Sequence, residues 1–213
     1  PMAPFPNLRV LQPNVQWFVD NGVRHLFLQG NGLRTELAEL RCYLLAKLAW
    51  DPEIDVEATI DEFLAGYYGA AAPFLRAYLD LLHDEMERSG EPLLIYGNPA
   101  LAKDSWLRPE VMAQAEVQLS LAEQAVAVDP VLRERVQVAR LPLMYAELEI
   151  AKRRGARAGG VFERTPAGDP GTGGGGGGEW RVRPRVPELL DRFLAGAGAA
   201  GIRRLREMDL PLG

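Results

Sequence analysis

Hydrophobic and polar positions follow two rhythms along this chain. Near the N-terminus, short apolar runs are bounded by turn residues. Leu8 to Gln12 (LRVLQ) and Val23 to Gln29 (VRHLFLQ) read as short strands. Between them, PNVQWFVDNG reads as a short helix. Asn14 suits its N-cap, Val15, Phe18 and Val19 form an apolar stripe, and Gly22 closes it. Strand, helix, strand is the βα rhythm of a parallel sheet or barrel. The second run ends on Gln29, Gly30, Asn31 and Gly32. Polar side chains at a strand end are where barrel enzymes meet substrate.

From Thr35 onward the period becomes helical. Thr35 is a candidate N-cap, and Leu37, Leu40, Leu44, Leu45 and Leu48 recur at helical spacing until Asp51-Pro52 ends the run. Asp55 caps a second helix that closes at Gly66 or Gly69. Pro73 opens a third, with Phe74, Leu75, Tyr78, Leu81, Leu82 and Met86 on one face and Gly90 as C-cap. A loop with one short extended piece follows. Two longer helices, Pro109 to Val128 and Pro130 to Arg154, then predict an antiparallel hairpin. The six glycines from Gly173 to Gly178 read as a mobile loop, because ordering them costs too much chain entropy. VFER and EWRVR flank that run and can pair as a small hairpin. The tail predicts an amphipathic helix from near Pro187, a Gly/Ala-rich break, and a short helix from Ile202 to Met208.

The expected fold class is mostly α with a small β part. Two or three strands are too few for a barrel of eight, which typically needs about 250 residues. The expectation is the last strand–helix units of a (β/α)8-type barrel followed by a C-terminal helical domain. The boundaries are a barrel end at 1–50, a helical domain at 51–155, a Gly-rich loop or linker at 156–180, and a helical tail at 181–213. The chain starts on Pro1 rather than Met, and a strand-like segment follows almost at once, which suggests a piece of something longer.

Composition changes this picture little: 213 residues, 47% hydrophobic, 25% charged, net charge −5. An acidic chain without a groove-reading motif argues against nucleic acid as partner. No run reaches the roughly 18 apolar residues of a membrane span, and no signal peptide precedes the first elements. The compartment is therefore open between cytoplasmic and secreted. The cluster Lys152, Arg153, Arg154 and Arg157 sits where a helix ends, and cations there suit the helix dipole. Cys42, the only cysteine, lies in a leucine-rich helix and reads as inert core. His83 reads as the edge of an amphipathic helix, beside Asp84 and Glu85; it and His25 are far apart and not in ligand spacing, so no metal and no other cofactor is expected. The glycine run lacks the strand and helix a dinucleotide fingerprint requires. Asp51 to Glu62 lacks the glycine of a calcium loop at its sixth position. No Ser sits in a nucleophile elbow.

What remains is carbohydrate chemistry. Paired carboxylates hydrolyse glycosides, amides hydrogen-bond sugar hydroxyls, and aromatic rings offer flat apolar faces. Glu36 and Glu39 share a helix face just after the polar strand end. Gln29 and Asn31 are amides at that end. Trp50, Tyr67, Tyr68, Tyr96 and Trp106 are the aromatic candidates, each with core packing as the competing reading. The substrate-binding set is Gln29, Asn31, Glu36, Trp50 and Tyr68.

NLRVLQPNVQWFVDNGVRHLFLQG, then LLAKLAWDP, DEFLAGYYG and AAPFLRAYLDLLH, together resemble the C-terminal half of bacterial proteins carrying domain of unknown function 4838. The resemblance spans Pro4 to Glu149, with Trp50-Asp51-Pro52 and Tyr67-Tyr68-Gly69 at matching places, and is weaker in the tail from Pro187. It implies kinship with TIM-barrel glycoside hydrolases, akin to α-glucuronidases and family 20 β-hexosaminidases. It therefore implies action on a poly- or oligosaccharide. Family members often carry an acidic residue near the position of Leu28 and Gln29. Its absence here implies that the catalytic pair lies on earlier strands, upstream of this chain. The expected function is the C-terminal part of a glycoside hydrolase-like protein, inactive alone, with the upstream barrel half and carbohydrate as partners. The alternative is a non-catalytic helical interaction or carbohydrate-binding module.

Overall fold

A computed structural model describes residues 2–28, 37–165 and 179–202. Its described part is mostly helical, with one small antiparallel sheet. The helices are α1 (Leu11–Asp20), α2 (Ala38–Trp50), α3 (Val56–Tyr68), α4 (Ala72–Ser89), α5 (Pro109–Ala125), α6 (Pro130–Arg153) and α7 (Arg185–Ala199). Strands β1 (Phe162–Arg164) and β2 (Trp180–Val182) pair antiparallel, Glu163 opposite Arg181.

Local chemistry explains most of these boundaries. The Asp55 carboxylate accepts from the Ala58 N–H at 3.0 Å and caps α3. Gly69 ends that helix at φ +55°, a left-handed backbone that side chains resist. Gly90 ends α4 in the left-handed helical region, at φ +66° and ψ 7°. Asp129 accepts from the N–H groups of Val131 and Leu132, and Pro130 opens α6. The linker between α5 and α6 is so short that the two pack as an antiparallel pair.

The larger core is a succession of helical stripes. Leu40, Leu44 and Leu48 of α2 meet Ile60, Leu64 and Tyr68 of α3. Leu75, Tyr78 and Leu82 of α4 meet Val111, Ala115 and Leu119 of α5. Alanines at 115 and 122 are fully buried and let neighbouring helices approach closely. A smaller core lies on the opposite face of α6. There Leu141, Met144 and Tyr145 hold Leu189, Phe193 and Ala197 of α7, together with Met2. Burying each large apolar side chain stabilises the fold by roughly 1.5–3 kcal/mol. Helix α6 is the shared wall, which is why residues 141 to 146 are buried without interruption.

Several sequence expectations are corrected. Leu8 to Gln12 is not a strand: Leu8–Val10 is a 3-10 turn running into α1. Leu8, Leu11 and Val15 are all buried, so the run's true period is helical. Pro13 is tolerated because it falls in the first turn of α1, where its missing N–H has no helical partner anyway. Val23 to Leu28 follows Gly22 in an irregular path and pairs with no strand. The barrel-end reading of these two segments therefore finds no sheet among the described residues. The loop expected after Gly90 holds no strand and carries a 3-10 turn at Pro99–Ala102. The Gly/Ala-rich break belongs to α7. A side chain at Gly196 would come within 2.9 Å of the Leu141 side chain, so the glycine serves helix–helix approach.

Two side chains also depart from expectation. Cys42 is exposed, because two residues beyond Leu40 lies on the far side of a helix. His83 is buried rather than at the edge of its helix. The glycine run and the short helix at 202–208 lie outside the described residues, apart from Ile202, which is buried in the smaller core.

Candidate functional site

Of the expected substrate-binding set, Gln29, Asn31 and Glu36 lie outside the described residues. Trp50 and Tyr68 are described, and they differ. Trp50 is the last residue of α2 and is 92% exposed, its indole offered to solvent. Tyr68 is 2% exposed. It continues the stripe Ile60, Leu64, Tyr68, and its ring meets Tyr67 edge-on at 5.0 Å. Tyr68 is therefore a core residue in this structure and corrects the substrate-contact expectation. Tyr67 stacks on Phe63 at 5.1 Å, and the Arg135 guanidinium lies 4.0 Å over its ring. Trp106 is buried and Tyr96 is exposed. The sequence reading did not single out Trp17 and Phe27, both exposed. Their signal was available: each is a large aromatic inside an apolar run with no partner stripe on the same element.

The densest polar constellation lies where the N-terminal segment meets α3 and α4. Arg9 pairs with Asp84 at 2.8 Å and Glu87 at 2.9 Å, and reaches Asp80 at 3.7 Å. Arg76 pairs with Asp80 at 2.9 Å, Asp61 at 3.0 Å, and Glu57. Asp80 thus bridges two arginines. Beneath this network, His83 uses both ring nitrogens. Its Nε2 accepts from the Leu8 N–H at 3.0 Å, and its Nδ1 donates to the Leu79 carbonyl at 2.8 Å. Those partners require the neutral ring with its proton on Nδ1. Burial, opposed by the Leu79 bond, pushes the imidazole pKa below its ordinary value.

A second buried charge, Glu85, accepts from Arg108 at 2.5 Å and from Arg88. Hydrogen bonding from Arg108, opposed by burial and joined by Arg88, holds this carboxylate below the usual range. A glycosidic acid needs the opposite, a carboxyl kept protonated near neutral pH. Glu85 does not suit that acid role, and through Arg108 it ties α4 to the N-terminal end of α5. Arg140 is buried between Glu116 and Glu123, the latter at 3.2 Å, and joins α5 to α6. Among the described residues no group of His, Cys, Asp or Glu could hold a metal ion. No described helix is long and apolar enough to cross a membrane.

Two open grooves mark the surface. One of about 620 Å³ runs between α4 and α5, lined by Ala77, Asp80, Leu81, Gln114 and Val117. The other, about 840 Å³, lies between the end of α6 and the β-hairpin. The described site is thus mainly helical, its carboxylates engaged in arginine pairs, with exposed aromatics at helix and loop ends. Residues 1–80 match the family model described as Domain of unknown function (DUF4838). That span covers α1 to α3, their connections and the first turns of α4, including Gln29, Asn31, Glu36, Trp50 and Tyr68. No curated protein and no solved structure matches the chain.

Proposed function

We propose that this chain is the non-catalytic C-terminal part of a glycoside hydrolase-like protein that acts on poly- or oligosaccharide. The observation that carries the reading is the segment Val23 to Leu28. Its apolar side chains are exposed, with Phe27 at 93%, and its backbone pairs with no strand. An apolar run of this kind is costly in water and marks a surface made to be covered. It leads directly into Gln29 and Asn31. In this reading the run seats against the barrel half of the same protein. Gln29, Asn31 and Glu36 then hydrogen-bond the sugar, and Trp50 offers a stacking face. The resemblance to glycoside hydrolase-like proteins supports the carbohydrate class; the match of residues 1–80 supports only the family on which that resemblance rests. The engagement of Glu85 and of the Arg9–Arg76 carboxylates in ion pairs supports a non-catalytic role.

The test compares a longer protein that carries upstream barrel sequence with this 213-residue chain, on a panel of aryl glycosides and uronides. Turnover by the longer protein alone is expected, with Gln29→Ala raising its KM. Turnover by the isolated chain would place catalysis inside it and sink the reading. If neither turns over and the chain unfolds cooperatively as a monomer, the second reading takes its place. That reading is a helical interaction module, favoured by the continuous core from Leu8 to Ile150.

A further inference from the structure

The β-hairpin has two chemically different faces. On one, Glu163 of β1 pairs with Arg181 of β2 and with Arg183 just beyond it, each at 2.8 Å. Strand alternation puts Phe162, Arg164, Trp180 and Val182 on the other face. There Phe162 stands opposite Val182, and Arg164 opposite Trp180. Trp180 is 63% exposed, and Phe162 and Val182 are exposed as well. Both kinds of cross-strand pair stabilise a hairpin, but here the carboxylate lies on the more covered face and the aromatic rings on the one open to solvent.

Phe162 and Trp180 form one wall of the groove of about 840 Å³, and Lys152, Arg154 and Ala156 form the other. The surroundings are strongly cationic. The described residues from 147 to 185 hold eight Lys or Arg and four Asp or Glu, a surplus of four positive charges in a chain of net charge −5, and Lys152, Arg181, Arg183 and Arg185 each pair with one of those carboxylates. The carboxylate beside the groove, Glu149, pairs with Lys152 at 2.6 Å and also accepts from Asn98. Arg154 gives one guanidinium N–H to the Lys103 carbonyl at 3.1 Å, which leaves further donors.

We propose that this groove binds an acidic polysaccharide. Trp180 and Phe162 stack on the C–H faces of pyranose rings, while Lys152 and Arg154 pair with carboxylate or sulfate groups on the sugars. The indole face is electron-rich and large, so it suits polarised C–H groups and gives contact area at little rotamer cost. Guanidinium matches a carboxylate or a sulfate with two parallel hydrogen bonds. The glycan part of the proposal rests on the polysaccharide reading above. The acidic part rests on the local charge surplus alone.

The experiment is calorimetric titration of the 213-residue chain with oligogalacturonate, dextran sulfate, neutral dextran and single-stranded DNA, at low and high salt. Oligogalacturonate and dextran sulfate separate carboxylate from sulfate as the recognised group. Binding to at least one of them is expected, weakened by salt as ion pairs are screened, and at least about tenfold tighter than to neutral dextran. Trp180→Ala should weaken it roughly tenfold, one ring's stacking contribution, with Trp180→Phe restoring most of the loss. Lys152→Ala should weaken it about threefold or more and flatten the salt dependence. Equal affinity for neutral dextran would overturn the charge role and leave the polysaccharide reading standing. Tighter binding to DNA would overturn the glycan assignment. No binding to any ligand by chain shown folded by circular dichroism would overturn the groove, while turnover by the longer protein tests the wider reading separately.

Discussion

His83 joins two distant parts of the chain through one ring. Its Nε2 holds the Leu8 N–H, and its Nδ1 proton holds the Leu79 carbonyl. Protonation would put a second N–H where Leu8 already points one, so the charged ring cannot keep both bonds. The folded pKa is below the ordinary 6.5, chiefly through burial. The unfolded chain therefore binds the proton more readily than the folded one in the interval below 6.5. The histidine's contribution to stability is full above that value and is lost as pH falls toward the folded pKa. Arg9, Asp80 and Glu87 face the same ring: the Arg9 charge adds to the lowering of the imidazole pKa, and the two carboxylates oppose it. Urea unfolding should show stability falling between pH 8 and pH 5, with a smaller fall in His83→Leu. That variant should also be less stable at pH 8 by about 1–3 kcal/mol, since it leaves the Leu8 N–H buried without an acceptor. An equal fall with pH in both proteins would show that His83 does not set it.

At the scale of elements, caps and glycines decide where helices end, and their effects can be separated. Asp55→Ala removes the acceptor for the Ala58 N–H and should cost about 1 kcal/mol. Gly69→Ala should cost more than Gly90→Ala: Gly90 is in the left-handed helical region at ψ 7°, whereas Gly69 at ψ −126° is in a region that side chains avoid altogether. At Gly69 the added methyl also meets the Leu132 side chain at 2.9 Å, whereas nothing lies within 4 Å at Gly90. Thermal unfolding of the three variants checks this order, and equal losses at the two glycines would show that neither the Gly69 backbone nor the Leu132 contact sets the cost. These features were legible in the sequence because each is written in one or two residues. Asp55, Gly90, Pro109 and Pro130 mark their helix ends locally, and VFER with EWRVR carries the period of a hairpin. Leu8 to Gln12 was not legible, because a five-residue apolar run fits either period and the partner that selects the helix is 75 residues away in α4. Cys42 and His83 were misplaced for the same reason: which side of a helix is buried depends on what packs against it. Of the candidate site, the exposure of Trp50 and the burial of Tyr68 both followed from tertiary contacts. The pairing of Phe162 and Trp180 on one hairpin face could have been read from strand alternation.

At the scale of the whole molecule, α6 separates two cores and the apolar surface is unevenly distributed. Met2 lies in the smaller core with α7, so the first described residues and the last helix close on the same wall. Exposed apolar side chains occur on most elements, and one group of them lies on α1 and the segment after it: Val10, Trp17, Val19, Val23 and Phe27. Scattered exposed apolar residues are ordinary, but this run is concentrated within 18 consecutive positions and is large enough to drive association when nothing covers it. The isolated chain should therefore self-associate through this face. Sedimentation velocity should show the apparent mass rising with concentration. Phe27→Asp should suppress the rise by placing a charge at the most exposed ring. Because Phe27 makes little contact within the fold, the same variant should keep its unfolding free energy within about 0.5 kcal/mol of the parent. Association that persists in Phe27→Asp would move the sticky surface elsewhere, the exposed aromatics of the hairpin being the next place to look. A strictly monomeric parent at every concentration would mean that Val23 to Leu28 needs no cover. The proposed seat against a barrel half would then lose the observation that carries it.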